Sequence, residues 1–251
     1  MADRWPTRQS LLWIFAASMV VATALALALG FDLLVPPPVI DETLDFPSRL
    51  TAIQPFQAAR WPFDAASSLL FVVGFGALAL LAGPIAALAG DDRRAGILRS
   101  AILASGLIGV VGGLLYVGAT QVAVTQQYCD CGFLTEEVIA QFWAVASIQA
   151  ATDWLAYGAI LFGAIGVALS AVMLTGLGLP TAWRWVAAAG GAMLALSVVL
   201  HEISDSPAGD IAAAIASGVL LPAWAIMLAM RIDEAIPAPD LQAVPAVSPT
   251  A

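Results

Sequence analysis

Apolar residues run along this chain in six blocks, each bounded by breakers or charge. A bilayer's hydrocarbon core is about 30 Å thick, which a helix crosses in about 20 residues at about 1.5 Å each. Leu11–Leu34, Ala65–Ala89, Ile97–Gln121, Asp153–Leu177, Trp185–His201 and Ile211–Met230 approach or exceed that length. Pro36–Pro38 stops the first block, Gly90-Asp91-Asp92-Arg93-Arg94 turns the second into the third, and Gly178-Leu179-Pro180 ends the fourth. Ser206-Pro207-Ala208-Gly209 closes the fifth. The pattern predicts an all-α, polytopic membrane bundle of six transmembrane helices in a single domain, residues 1–236. Residues 237–251 are Pro/Ala-rich without periodicity and are expected to form a disordered cytoplasmic tail. No internal repeat is visible, so an inverted-repeat transporter fold gains no support.

Composition agrees with a lipid environment. Of 251 residues, 61% are hydrophobic and 11% charged, against about 25% charged in a soluble domain. The chain has no lysine and is rich in Ala, Gly and Leu, which points to a bacterial high-GC coding bias. The net charge of −9 speaks against a nucleic-acid partner.

The sorting of charge predicts orientation, because cytoplasmic loops carry excess Arg. With the N-terminus inside, Arg4, Arg8, Arg93, Arg94, Arg99, Arg184 and Arg231 are inner, and only Arg49 and Arg60 are outer. Six acids fall inside and twelve outside or at the outer rim. Both termini are therefore expected in the cytoplasm of a bacterium, in a multi-pass protein of the inner membrane. Trp183-Arg184-Trp185 reads as an inner interfacial anchor, with Trp5 and Trp13 near the same level. Arg4 and Arg8 ahead of an apolar run resemble a secretory signal, but Leu11–Phe31 is about twice the usual length, which favours a retained span.

Helices three and four overshoot the membrane. Helical sequence continues past Ala119 to Gln127, and resumes at Thr135, an N-cap candidate ahead of Glu136 and Glu137. Both are expected to extend on the outer side, or Val138–Ala150 to lie along the interface, around a hairpin tip at residues 128–133. Glu137, Gln141, Gln149 and Asp153 recur at multiples of four and form a polar stripe. A solvated face accounts for it; so does one wall of a polar vestibule with Gln121 and Glu202. The longest outer loop, residues 35–64, reads as a cap over the bundle.

Two constellations carry candidate chemistry. Cys129-Asp130-Cys131 at the tip is a pair able to chelate a soft metal such as Cu or Zn, to act as a redox couple, or to sit idle in a turn. His201, the only histidine, lies four residues before Asp205 at the end of helix five, on the same side as the cysteines. A metal site from Cys129, Cys131, His201 and Asp205 is topologically open; so is a histidine that only hydrogen-bonds a neighbour. Gly109 and Gly113 in helix three, and Gly163 in helix four, suit close helix packing. Pro84 and Pro222 are expected to kink helices two and six.

Phe142-Trp143, Trp154, the glycines 158, 163 and 166, Gly178-Leu179-Pro180 and Trp183-Arg184 before Gly190-Gly191 resemble a broad family of uncharacterised bacterial six-helix integral membrane proteins. That resemblance implies the fold and no activity. The residues favour a non-enzymatic accessory, assembly or sensing bundle contacting another membrane protein or a second copy; the alternatives are an outward metal-binding or redox protein, and a transporter of a small, mostly apolar molecule entering beside Gln121, Gln149 and Asp153. No nucleophile–base pair is recognisable, so an enzyme is disfavoured.

Overall fold

The structure, a computed structural model, describes residues 7–39, 43–44, 46–90, 92–125, 136–174, 178–203 and 207–232. It is all-α, and six helices are long and apolar enough to cross a membrane. They are α1 (Arg8–Gly30), α2 (Phe46–Ala87), α3 (Asp92–Thr125), α4 (Glu136–Met173), α5 (Thr181–Ile203) and a sixth span. The sixth is assembled from α6 (Ala208–Ile215), a π-helical turn (Ala216–Leu220) and α7 (Leu221–Ala229). Neighbours in the chain are antiparallel neighbours in space, and the sixth span returns to α1, so the spans close a ring. The end carrying Arg8 and Ile232 is here called proximal, the opposite end distal.

Local signals set the helix ends. The Thr7 hydroxyl accepts the Ser10 N–H at 3.1 Å and caps α1. At its far end Asp32 sits at φ 53°, while Asp32 N–H reaches the Leu29 carbonyl and Leu33 N–H the Ala28 carbonyl. That is a Schellman stop with aspartate in the usual glycine place. Gly90 and Gly178 take positive φ after α2 and before α5.

Span six departs from a regular α-helix just before Pro222. Pro222 has no N–H, and its ring would collide with the Gly218 carbonyl in a regular helix. The turn before it widens, Leu221 N–H reaching back to the Ala216 carbonyl.

Two expectations change on the structure. Residues 46–64, read as part of an outer loop, are the first turns of α2. Pro47 lies in its opening turn, and Pro55 and Pro62 are exposed, where water can serve the carbonyls they free. At about 1.5 Å per residue, α2, α3 and α4 measure about 63, 51 and 57 Å. Contacts of Asp32 with Arg60 and Tyr157 with His201 align the ends of α1 and α5 partway along α2 and α4, so the surplus lies at the distal end. Second, Trp183 is no surface anchor: it is 0% exposed, while Trp185 beside it is 72% exposed. The close helix packing expected of Gly109 and Gly113 is made against α2: a Cβ on Gly109 would overlap the Phe75 ring, and one on Gly113 would lie 2.6 Å from Val72 Cγ2. Gly163 does face α3, where a Cβ would stand 2.9 Å from Ser105 Oγ.

Without a hydrophobic drive between helices in lipid, small residues and hydrogen bonds hold such a ring. Ser67 Oγ donates to the Ala22 carbonyl at 3.0 Å, tying α2 to α1. Ser105 Oγ donates to the Ala159 carbonyl at 2.8 Å, tying α3 to α4. The Thr23 and Ser217 hydroxyls meet at 3.1 Å, tying α1 to the π-turn. At the proximal end Trp183 Nε1 donates to the Trp224 carbonyl and Trp224 Nε1 to Ser170 Oγ, each at 3.1 Å, which joins α5, α7 and α4.

Candidate functional site

Side-chain size divides the interior into two halves. The proximal half is filled: Trp183, Trp224, Phe15, Leu81, Leu98 and Leu228 are fully or almost fully buried, and Phe15 meets the Trp224 ring edge-on at 6.3 Å. The distal half faces inward with Gly109, Gly112 and Gly113 on α3, Ala156, Ala159 and Gly163 on α4, and Ala213 on α6. Residues this small on facing helices do not meet across the axis. A cavity of about 310 Å³ remains, and all six spans contribute to its wall. Phe71 and Phe75 from α2 form its aromatic side. Ser217, on the π-turn, lines it too; π-turns inside helices often mark functional positions.

The polar groups gather where the cavity reaches the distal end. Tyr116, Ser68, Thr152 and Asp153 line it there. Thr152 is buried and spends its hydroxyl on the Gln149 carbonyl at 2.7 Å. Asp153 is exposed; Tyr116 feels the charges of Asp64 and Arg60 ahead of that of Asp153, and Tyr157 feels Glu202 and then Asp153. Arg60 is committed elsewhere: its Nε is 3.2 Å from Asp64 Oδ2 and its Nη1 3.9 Å from Asp32. Among the described residues no arginine pairs with Asp153 and none lines the cavity. Beside the mouth, Tyr157 packs against His201 at 5.7 Å between ring centroids, and against Trp154 edge-on at 5.8 Å. The Tyr157 hydroxyl donates to Glu202, and His201 Nδ1 stands 3.7 Å from Asp210 Oδ1.

The residues singled out by sequence divide accordingly. Asp153 is in the wall of the cavity, and Glu202 is at its margin through Tyr157. Gln149 is half-buried one turn above, and Gln121 is exposed on α3. Gln141 is helical in α4, with its side chain outside the described residues. Cys129, Cys131 and Asp205 also lie outside the described residues, and among those described no group of three or more His, Cys, Asp or Glu could hold a metal ion. His201 takes Asp210 as its acidic neighbour. Sequence reading missed Tyr116, Ser68, Thr152 and the Arg60–Asp64 pair. Tyr116 carried a signal, since it follows Gly109, Gly112 and Gly113 at three- and four-residue spacings on one helix face.

Comparison with family models, with curated proteins and with solved structures finds no match to this chain.

Proposed function

We propose that the chain is a transporter of a small, mostly apolar molecule in a bacterial inner membrane, with both termini cytoplasmic and the cavity mouth facing outward. The cavity carries this reading. A bundle kept only for assembly gains nothing from an unfilled centre: at about 24 cal/mol per Å³, a sealed void of about 310 Å³ would cost on the order of 7 kcal/mol. A volume of this size falls within the usual range for small-ligand sites, which are apolar with a few polar groups fixing orientation. Closure at one end by Trp183 and Trp224, with a polar opening at the other, fits one state of an alternating-access cycle. The π-turn and Pro222 stand directly before Trp224, at the place in span six where a bend is least costly.

Support for the orientation comes from charge. Arg93, Arg94, Arg99, Arg184 and Arg231 are exposed at the proximal end with Arg8 half-buried there, and the distal end holds Arg49 and Arg60. On that orientation the long distal parts of α2, α3 and α4 project outward.

The test is thiol accessibility. Ala213→Cys, in a Cys129→Ser/Cys131→Ser background, places a single reporter on the cavity wall. A membrane-impermeant thiol reagent is expected to label it both in right-side-out and in inverted vesicles. Labelling from the outer face alone would turn the protein into a fixed receptor or sensor. Labelling from neither face would remove the cavity as a route.

A further inference from the structure

Resting on the cavity as the binding site, we propose that its ligand is a lipophilic monocation: an ammonium head held at Asp153 and Tyr116, with an apolar body among Phe71, Phe75 and the small residues of α3 and α4. Size comes first. A cavity of about 150 Å³ in a protein core holds one benzene, so about 310 Å³ takes on the order of a dozen non-hydrogen atoms. Polarity comes second. Below the mouth the wall offers only phenyl rings, aliphatic groups and hydroxyls; Ser105 Oγ is donated to the Ala159 carbonyl, and Ser217 Oγ donates to Ala213 and meets Thr23. Nothing there solvates a second charge, so the body must be apolar.

Charge decides the head. An anion entering would meet the Asp153 carboxylate and, among the described residues, no arginine on the wall; Arg60, whose charge reaches Tyr116, is offset by Asp64 at 3.2 Å and Asp32 at 3.9 Å. A cation meets the Asp153 carboxylate, which has no arginine partner among the described residues and has the His201 ring as its nearby titratable neighbour. Tyr116 lines the same end of the cavity, and an ammonium that settles over its ring gains a further attraction. The same arrangement explains why an acid is placed at the rim of an otherwise apolar cavity: at that depth its hydration cost is small, and its charge acts where a head group would halt.

The experiment compares two probes of matched shape on the detergent-purified full chain, phenylbutylammonium and phenylbutanol, with affinities measured by calorimetry. Wild type is expected to bind the ammonium about fivefold or more tightly than the alcohol, the range of one partly exposed ion pair with a cation–π contact. Asp153→Asn is expected to bring the two probes together, and Asp153→Glu to keep them apart. Asp153 is exposed, so neither change threatens the fold. Ala213→Phe fills the cavity and is expected to abolish both; Ala156→Leu repeats that test should the larger change misfold. Equal affinity for the two probes in wild type, lost with Ala213→Phe, would overturn the cation and leave the cavity site standing. A preference that survives Asp153→Asn would overturn the assignment of the head group. Binding of neither probe would overturn the cavity as a binding site, and the ligand class with it.

Discussion

Trp224→Phe is the most direct probe of what closes the proximal end. Trp224 is 0% exposed, donates through Nε1 to Ser170 Oγ, accepts from Trp183 Nε1 at its carbonyl and meets Phe15 edge-on. Phenylalanine keeps the edge-on contact and the backbone carbonyl. It loses one interhelical hydrogen bond, about 0.6 kcal/mol on average in a membrane protein and at most about 1.7. It also leaves roughly 40 Å³ unfilled, about 1 kcal/mol at about 24 cal/mol per Å³. Ser170 is not orphaned, because its hydroxyl donates to the Val167 carbonyl at 2.6 Å. The expected cost is therefore about 1.5–2.5 kcal/mol, against about 3–5 kcal/mol for Trp224→Ala. Reversible unfolding in mixed micelles against a denaturing detergent gives these values. A cycle with Ser170→Ala isolates the hydrogen bond, with an expected coupling of about 0.6 kcal/mol. Additive single effects, or a Trp224→Phe cost below about 0.5 kcal/mol, would refute the indole as a tie between α7 and α4.

Gly118 has open space where a Cβ would go, so Gly118→Ala should stabilise by about 0.5–1 kcal/mol through helix propensity alone. Gly191 is the opposite case: its Cβ would stand 2.7 Å from the Ala164 carbonyl oxygen, so Gly191→Ala should destabilise, by about 1–3 kcal/mol in the same unfolding assay. Ser105→Ala removes the hydroxyl tie between α3 and α4 and should cost about 0.6 kcal/mol, since the Ala159 carbonyl keeps its place in the α4 helix. Asp32→Asn should lie within about 0.5 kcal/mol of wild type while Asp32→Val costs about 1–2 kcal/mol, because only the second is a β-branched residue at φ 53°.

Hydropathy carried most of the architecture, because a bilayer fixes how long and how apolar a span must be. It could not place residues 46–64, whose prolines read as a loop by local rule. Their helix is supported by joining the span below, which no local window contains. Hydropathy also ranked Trp183 and Trp185 alike. Only tertiary packing separates a tryptophan that bonds the Trp224 carbonyl from one that faces lipid. At the site, Asp153 was legible as an acid at the rim of a span. The cavity beside it was not, because a void is a property of six helices at once. Thr152 is the chain neighbour of Asp153, but Tyr116 and Ser68 come from α3 and α2 and share no sequence window with it.

The glycines hold the lesson for function. On α3, Gly109 and Gly113 are filled by α2, the first by Phe75 and the second by Val72, and a Cβ on Gly112 would stand 3.2 Å from Leu155 Cβ on α4. Gly163 on α4 is closed by Ser105. Each small residue thus draws a neighbouring helix inward, and the bundle is tight around its circumference. Ala156, Ala159 and Ala213 then leave the axis without side chains long enough to cross it. Small residues therefore act twice here: they close the ring and they leave its distal centre open. In the proximal half the same ring closes on the buried Trp183 and Trp224. A chain built only to pack would carry large residues along the whole axis; this one carries them along half, and sets the Asp153 carboxylate at the other end of the cavity.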